Sequence, residues 1–501
     1  MNVSDLLFYF YNNRNGMLLK VIAISFLMSC PFSPVFSQKN YYFSSATTQV
    51  NGTSQDGSLQ HPFSDPGGIK DLRLMPGDTL FFKTGTAFIQ PVVLDNIHGT
   101  VRKKIVFTSY GPGKAVIFSG NTTGLLISNS SHFEIVKLAV NGSGRKEGNT
   151  TDGIKLFNCA SFNLMNIDVS GFQKAGLLLF NCRDGTVDSI VAHENGFAGI
   201  LVDGDYQQRL SERIHIVNSK ADNNPGDPTN LTNHSGNGIL AGNCRNVLIE
   251  YCSATHNGWD MPRIGNGPVG IWAYEADSVI IQYCISYGNK TAKGAADGGG
   301  FDLDGGVTNS VIQYCLSYDN EGSGYGIYQY WSASRWKNNR LQHCISINDG
   351  RVTENASAMY IWNGNNGDSS FTDFYAQHNF FYNDQKYAFS FSGQSQHRRF
   401  TFSNNYFIAS DTSDIYYGID SSTSDVFSGN VWMRKSGGFM QDGYNDLGRW
   451  AAATGYEMQA GKLVGRSIDK RVVYFRGAIH TTDPHQLFND TQLQAIWKLI
   501  K

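Results

Sequence analysis

The chain has little charge. Charged residues make up 16% of its 501 residues, and 40 Lys and Arg against 42 Asp and Glu leave a formal net charge of -2. Nucleic-acid binding relies on a basic surface, so this composition argues against nucleic acid as a partner. Glycine is abundant, at 54 residues, and aromatic residues reach 13%. This balance is typical of a turn-rich β protein with many exposed rings.

The chain also shows no apolar run long enough to span a bilayer. The apolar stretch at residues 21–30 follows Lys20, and a membrane helix needs roughly 20 residues. Small residues come next, ending at Ser37, which is typical of a signal-peptide cleavage site. We therefore expect residues 1–37 to be a signal peptide, with export to the periplasm or the outside of the cell and no membrane span. Lipid attachment at Cys30 is the alternative.

Disulfide bonds are not expected. Seven cysteines remain once a leader that contains Cys30 is removed. Four of them occupy one position of successive repeats (Cys252, Cys284, Cys315 and Cys344), and Cys159 and Cys182 share another position. An odd number of cysteines in repeated apolar segments indicates small buried side chains rather than a disulfide framework.

The strongest pattern is a repeat. Gly153, Gly176 and Gly199 each open a segment of alternating apolar residues, at intervals of 23 residues. Similar segments open at Gly238, Gly270, Gly300, Gly326 and Ala358. Alternation with period two predicts strands, and a fixed period of this size predicts one unit stacked many times. An asparagine recurs at the turn before the next strand, at Asn195, Asn257, Asn289 and Asn320.

Strand stacks joined by an asparagine ladder resemble the right-handed parallel β-helix of the pectate-lyase-like superfamily, in its exported bacterial carbohydrate-active form. The resemblance covers roughly residues 99–429. It implies an all-β solenoid of three sheets and about 10–12 coils. We assign residues 38–120 to an N-terminal cap and the first coils, with a short helix near residues 69–74. Residues 121–440 are the β-helix with groove-forming insertions, and residues 441–501 are a short helical C-terminal cap.

One face of the first strand stack is predicted to bind sugar. If Phe301, Leu303 and their equivalents point into the core, the alternate residues point outwards. The outward set contains three acids, Asp203, Asp302 and Asp304. It also contains six aromatic residues: Trp272, Tyr274, Tyr328, Tyr330, Tyr360 and Trp362. Sugar rings have apolar faces that stack on such side chains. The alternative is that a loop covers the rings as a second core.

The acids suggest hydrolysis of a polysaccharide. Asp302 and Asp304 are two residues apart on one strand, so their Cα atoms lie roughly 6.5–7 Å apart on one face. Repulsion between two such carboxyls raises one pKa and separates a general acid from a general base. Long insertions at residues 203–238, 257–270 and 289–300 form a wall beside them. Asp297 and Glu321 are candidate supporting carboxylates, and His234 is a further candidate for substrate binding.

Two other functions stay open. Asp297, Asp302 and Asp304 could bind Ca²⁺, as in a lyase that acts on a uronate polymer with Lys293, Arg335 or Lys337 as the base; the hydrolase requires no cofactor. Asp304 and the Asn320-Glu321 pair depart from the calcium-lyase pattern within the superfamily, and the polygalacturonase signatures are incomplete. The third possibility is a non-catalytic glycan-binding solenoid. We expect a monomer whose partner is a polysaccharide or oligosaccharide.

Overall fold

A computed structural model describes residues 38–45, 55–364, 367–394, 396–418, 424–474 and 477–501. The predicted signal peptide, residues 1–37, lies outside this part of the chain. The described residues form a parallel β-helix in which three stacks of parallel strands surround one continuous apolar core. No helix within the described ranges is long and apolar enough to cross a membrane.

The first stack, sheet A, carries the predicted repeat. It has 12 strands in chain order, which agrees with the expected number of coils. Its strands are Val92–Asp95, Leu125–Ser128, Ile154–Phe157, Ala175–Phe180, Ala198–Asp203, Asn237–Gly242, Val269–Tyr274, Gly299–Leu303, Tyr325–Gln329, Met359–Asn363, Phe389–Gly393 and Tyr416–Tyr417.

Sheets B and C complete each coil, and two long strands, Ala160–Ser170 and Arg183–His193, pass through the corner and belong to both. The other strands of sheet B are Asn40–Phe43, Thr79–Lys83, Ile105–Tyr110, Ser131–Val136, Ser211–Val217, Cys244–Glu250, Ile280–Gln282, Val311–Gln313, Trp336–Gln342, Phe371–Gln377, Arg398–Ser403 and Val426–Ser428. Those of sheet C are Ala87–Phe88, Ala115–Gly120, Leu138–Gly142, Lys220–Asp222, Ser253–Thr255, Ile285–Tyr287, Leu316–Tyr318, Ile345–Ile347, Phe380–Tyr382, Tyr406–Ala409 and Val431–Arg434.

Strand alternation fills the core as predicted. Phe301 and Leu303 are fully buried inside the coil, beside Ile271 and Ala273 of the preceding rung. The seven cysteines of the described chain are all buried and free, which agrees with their predicted place as small side chains in the core. The Cys284 thiol, for example, donates a hydrogen bond to the Gln282 carbonyl at 3.1 Å. Cys284 therefore acts as a small core side chain with a satisfied donor.

The asparagine ladder is present and longer than predicted. The Asn257 side-chain amide donates to Asn289 Oδ1 at 2.9 Å and also to the Ala221 carbonyl at 3.1 Å. Asn224 is an additional member, which the sequence pattern did not identify. The ladder ends at Asp349, whose carboxylate accepts from Asn320 at 2.8 Å. Each step pairs the turn of one coil with the turn of the next, so the ladder fixes their spacing.

Both ends of the core are closed. At the N-terminal end the 3-10 helix Pro66–Asp71 places Ile69 in the core, close to the predicted short helix. At the other end the α-helix Leu447–Thr454 packs Trp450 against Trp432, with ring centroids 5.2 Å apart. A two-stranded hairpin, Met458–Gln459 and Lys462–Leu463, follows this helix.

The rest of the C-terminal region covers a side of the β-helix instead of its end. From Val472 onwards the described residues run back along the outer face of sheet C. The α-helix Thr491–Leu499 buries Trp497 in an apolar cluster with Ile285, Leu316 and Ile345 of successive rungs. The short 3-10 helix Pro484–Gln486 precedes it, and another, Asp368–Ser370, precedes a strand of sheet B. This cover occupies the outer face of sheet C and leaves the outer face of sheet A accessible.

Candidate active site

A cavity of about 690 Å³ lies on the outer face of sheet A. Nine of the predicted site residues line it: Trp272, Tyr274, Tyr328, Tyr330, Tyr360, Trp362, His234, Asp297 and Asp304. The strands contribute the rings, and the insertions at residues 203–238 and 289–300 contribute His234 and Asp297. The wall predicted from loop length is therefore present beside the aromatic stripe. Phe197, Tyr206, Asn233, Asn266 and Ala296 complete the lining, and the sequence pattern did not identify them as site residues.

The register of one rung differs from the register that the repeat in the sequence predicted. The repeat pattern opened this rung at Gly326, whereas the structure pairs Asp302 with Gly326 and Leu303 with Ile327. The rung therefore opens two residues earlier, and Asp304 comes next to Tyr328. A shift of two residues preserves which side chains point outwards, so the predicted faces remain correct.

Asp302 is covered, and the expectation that it faces solvent is wrong. It points out of the coil but is only 2% exposed. Gly326 beside it leaves space for the Tyr328 ring: a Cβ on Gly326 would lie 2.6 Å from Tyr328 Cε2. Asp302 Oδ1 has no hydrogen-bond partner among the described residues. Burial, together with the charges of Asp304 and Asp297, raises the pKa of Asp302 well above its ordinary value.

Asp304 and Asp297 are the two carboxyls that line the cavity. Asp304 follows the strand Gly299–Leu303 and accepts a hydrogen bond from the Gly305 amide at 2.7 Å. Burial, with smaller contributions from Asp297 and Glu275, raises the pKa of Asp304 to about 7. Asp297 precedes the same strand and accepts from the Gly267 amide at 2.8 Å; burial raises its pKa to about 6. Near neutral pH, one carboxyl can therefore hold a proton while the other is ionised.

Glu275 is a buried acid close to the cavity. It is fully buried, and its Oε1 accepts from the Ser334 amide at 2.8 Å and the Gln207 side-chain amide at 3.2 Å. The Tyr330 hydroxyl also donates to Oε1, at 3.4 Å. Glu275 therefore helps to fix Tyr330, and its charge contributes to the raised pKa of Asp304.

Asp203 supports a ring and does not line the cavity. Its Oδ1 accepts from the Tyr274 hydroxyl at 3.2 Å and from the Asn243 amide at 2.7 Å. The Tyr274 ring lies over Gly242, where a Cβ would approach its Cε1 to 2.1 Å. Asp203, predicted as a substrate-binding residue, is thus placed to orient Tyr274.

One end of the cavity is formed by a rigid polar network. The Asn237 side-chain amide donates to His234 Nδ1 and to the Phe197 carbonyl, each at 3.0 Å, while its Oδ1 accepts from Trp272 Nε1 at 3.1 Å. The His234 ring lies against Trp272, with centroids 5.0 Å apart. Burial lowers the pKa of His234 to about 4, with a smaller contribution from the charge of Arg263. His234 is therefore neutral at physiological pH.

A second cavity of about 1020 Å³ adjoins the first. The two share Ala296, Asp297, Tyr328 and Tyr360, so they form one longer groove. Glu321 lies in this second cavity, where its Oε2 accepts from the Thr291 amide at 3.2 Å. The structure therefore separates Glu321 from Asp304.

The three basic residues considered for a lyase are dispersed. Lys293 is exposed and lines the second cavity together with Lys290. Lys337 is exposed on a strand of sheet B, and Arg335 is exposed just before that strand. Within the described part of the chain, no group of three or more His, Cys, Asp or Glu side chains is placed to hold a metal ion. A calcium site at Asp297, Asp302 and Asp304 stays a prediction.

Comparison with known proteins agrees with the fold. The family model described as "Right handed beta helix region" matches residues 227–381, which include most of the cavity. Together with the three parallel stacks, this match confirms the predicted architecture, and the chain is a right-handed parallel β-helix protein. The comparison with curated proteins gave no match.

Several solved structures resemble the chain at low identity. They include a mannuronic acid specific polysaccharide family 6 lyase from human gut microbiota, which is 14% identical to this chain. The match covers 79% of this chain and 86% of the lyase chain, with a TM-score of 0.48. Another is the GH136 lacto-N-biosidase from Eubacterium ramulus, 15% identical over 68% of this chain, with a TM-score of 0.42. The chain spans only 64% of that enzyme's length. Pectate lyase Pel9A is 14% identical over 72% of this chain and 78% of its own, with a TM-score of 0.41. These values do not assign an activity.

Proposed function

We propose that the chain is a carbohydrate-active enzyme, a glycoside hydrolase that binds its glycan on the outer face of sheet A. One observation carries this proposal: eight aromatic rings, including the six predicted ones, and two carboxyls with raised pKa values line the same cavity. Aromatic faces bind the apolar faces of sugars, and two carboxyls with separated pKa values supply an acid and a base.

The pKa values suggest a role for each carboxyl. Asp304, with the higher pKa of about 7, is the general acid, and Asp297, with a pKa of about 6, is the general base. Asp302 is covered by Tyr328, so a glycan reaches it only if that ring moves. This changes the acid/base pair inferred from spacing, in which Asp302 and Asp304 shared the two roles.

The reaction follows from this assignment. Asp304 gives its proton to the glycosidic oxygen as the bond from that oxygen to the anomeric carbon breaks. Asp297 takes a proton from the water that attacks the anomeric carbon. The products are two shorter glycans, one with a new reducing end. Asp297 then releases its proton to solvent and Asp304 takes one up, which restores both carboxyls.

A panel of plant, algal and host glycans tests the proposal. New reducing ends without an unsaturated product support hydrolysis, whereas an ultraviolet-absorbing unsaturated product would show a lyase. Binding in a gel-shift assay without either product would show a glycan-binding module. Assays with and without a chelator test the calcium alternative.

Variants identify the residues. Asp304→Asn and Asp297→Asn should each lower kcat by about 100-fold or more, because general acid and base catalysis typically contribute this much. Asp188→Asn on the outer face of sheet B is the matched control and should keep full activity. Near-full turnover in both site variants, with the fold intact, would refute the assignment.

A further inference from the structure

The charged residues that line the first cavity are all acidic. Asp297 and Asp304 are there, while the described lining contains no lysine or arginine. The nearby Arg263 is hydrogen-bonded to the carbonyl and side-chain oxygens of Asn266. Lys290 and Lys293 line the second cavity. A uronate polymer carries a carboxylate on each sugar, and bringing it into this cavity places like charges together with no cation among the described lining residues to pair with them.

His234 offers the cavity a neutral hydrogen-bond donor. The Asn237 amide is oriented by three contacts: it donates to the Phe197 carbonyl and to His234 Nδ1, and it accepts from the indole N–H of Trp272. Nδ1 is therefore an acceptor, and the proton of the neutral ring lies on Nε2. The amides of Asn233 and Asn266 also line this end. Such donors suit hydroxyl or amide oxygens of an uncharged sugar.

This end of the cavity is closed. The rung of sheet A that precedes Trp272 presents Leu240, and the rung before that presents Leu201. Leu240 is 1% exposed and Leu201 6% exposed, since both belong to an apolar cluster that includes Trp272 and packs against Phe197. A glycan therefore cannot continue along the sheet past His234 and Trp272.

We propose that the first cavity binds the uncharged end of a glycan, with a neutral terminal sugar against His234 and Trp272, and that it excludes uronates. The proposal rests on the proposed function in taking the ligand to be a glycan. It adds the substrate class and the part of the substrate that enters the cavity.

Matched oligosaccharides test the choice of ligand. Mannan and mannuronan oligomers of equal length share one linkage and differ mainly in the carboxylate, and methyl-esterified galacturonan is the neutral counterpart of a galacturonan oligomer of equal length. Calorimetric titration into the wild-type protein at pH 8, at low and high salt, should show at least one neutral oligomer binding about 100-fold more tightly than its uronate counterpart. Equal or tighter binding of the uronate, or no binding of any neutral oligomer, would overturn the proposal.

Two variants locate the binding. His234→Phe keeps a ring between Phe197 and Trp272 but removes the N–H donor, and it should weaken neutral-glycan binding about 10-fold. His234→Gln restores a donor and should recover part of the affinity. The same change at His256, which lies by sheet C against Tyr287, should have no effect. Unchanged affinity in His234→Phe would refute the placement of the terminal sugar.

Failure of this inference differs from failure of the proposed function. Tight binding of neutral oligomers without cleavage would refute hydrolysis and support the neutral cavity. Cleavage of uronate polymers alone would show an enzyme and overturn the neutral cavity. The length of the products gives a third result. A site closed at His234 and Trp272 should release short products of one size from a chain end. Random internal cleavage would contradict the closed site.

Discussion

Replacing Asp304 by Asn should stabilise the folded chain at alkaline pH and leave its stability unchanged below about pH 3. The folded environment raises the pKa of Asp304 from 3.8 to about 7. The folded state therefore holds a proton that the unfolded state releases, and unfolding becomes easier as the pH rises from about 4 to about 7. Asparagine has no proton to release, and its Oδ1 can still accept from the Gly305 amide.

The size of the effect follows from the pKa difference. A shift of about three units, at 1.36 kcal/mol per unit, gives an upper limit of about 4 kcal/mol at pH 8. Asp304 lines a cavity and is partly exposed, so water reduces the penalty and a gain of about 1–4 kcal/mol is expected. Below about pH 3 both states carry the proton, and the gain should vanish.

Unfolding of wild type and Asp304→Asn in urea at pH 4.5, 6 and 8 measures the difference between their free energies of unfolding. Asp222→Asn provides a control of opposite sign, because hydrogen bonds from His256 and Thr255 outweigh the effect of burial and lower the pKa of Asp222 to about 2. Asp222→Asn should lose stability at pH 8, with the loss disappearing as the pH falls from 3.8 towards 2. A gap between wild type and Asp304→Asn that does not change with pH would refute the reasoning.

Three further changes test the site and the fold. Trp362→Ala should weaken glycan binding about 10-fold through loss of one stacking surface, measured by calorimetry; unchanged affinity would remove this ring from the binding face. Asn257→Ala should lower the free energy of unfolding by about 3 kcal/mol, since it removes two hydrogen bonds that the Asn257 side chain donates and one that its Oδ1 accepts from the Asn224 backbone amide; a loss well below 1 kcal/mol would show that the ladder is not structural. Trp497→Ala should cost about 3–5 kcal/mol if the C-terminal helix is a stable cover of sheet C, and a change in thermal midpoint within error would contradict that.

The faces of sheet A were predictable because they depend on neighbouring residues. Phe301, Asp302 and Leu303 alternate, so the position of one fixes the others on a pleated strand. The register predicted for the rung at Gly326 was wrong by two residues, but the predicted faces remained correct, since a shift of two residues returns each side chain to its face. Loop lengths likewise predicted that His234 and Asp297 would lie beside the rings, because insertions at one corner of a solenoid stack on the same edge.

Burial of the acids was not predictable from the repeat. The cover over Asp302 comes from Tyr328 of the next rung, and it depends on Gly326 having no side chain. Glu275 is buried by Gln207 and Ser334, which are 68 and 59 residues away along the chain. Periodicity gives the direction of a side chain relative to its own strand, whereas burial depends on the conformation of loops and rings from other coils.

The amino-acid sequence determined the parallel β-helix, its three sheets and the line of rings along one of them, because these features depend on alternation within a strand and repetition between coils. The tertiary structure decided which carboxyls meet the cavity. It covered Asp302, placed Glu321 in the adjoining cavity and left Asp297 and Asp304 beside the rings. The physical reason is that the pKa and accessibility of a carboxyl depend on atoms brought near it by distant parts of the chain.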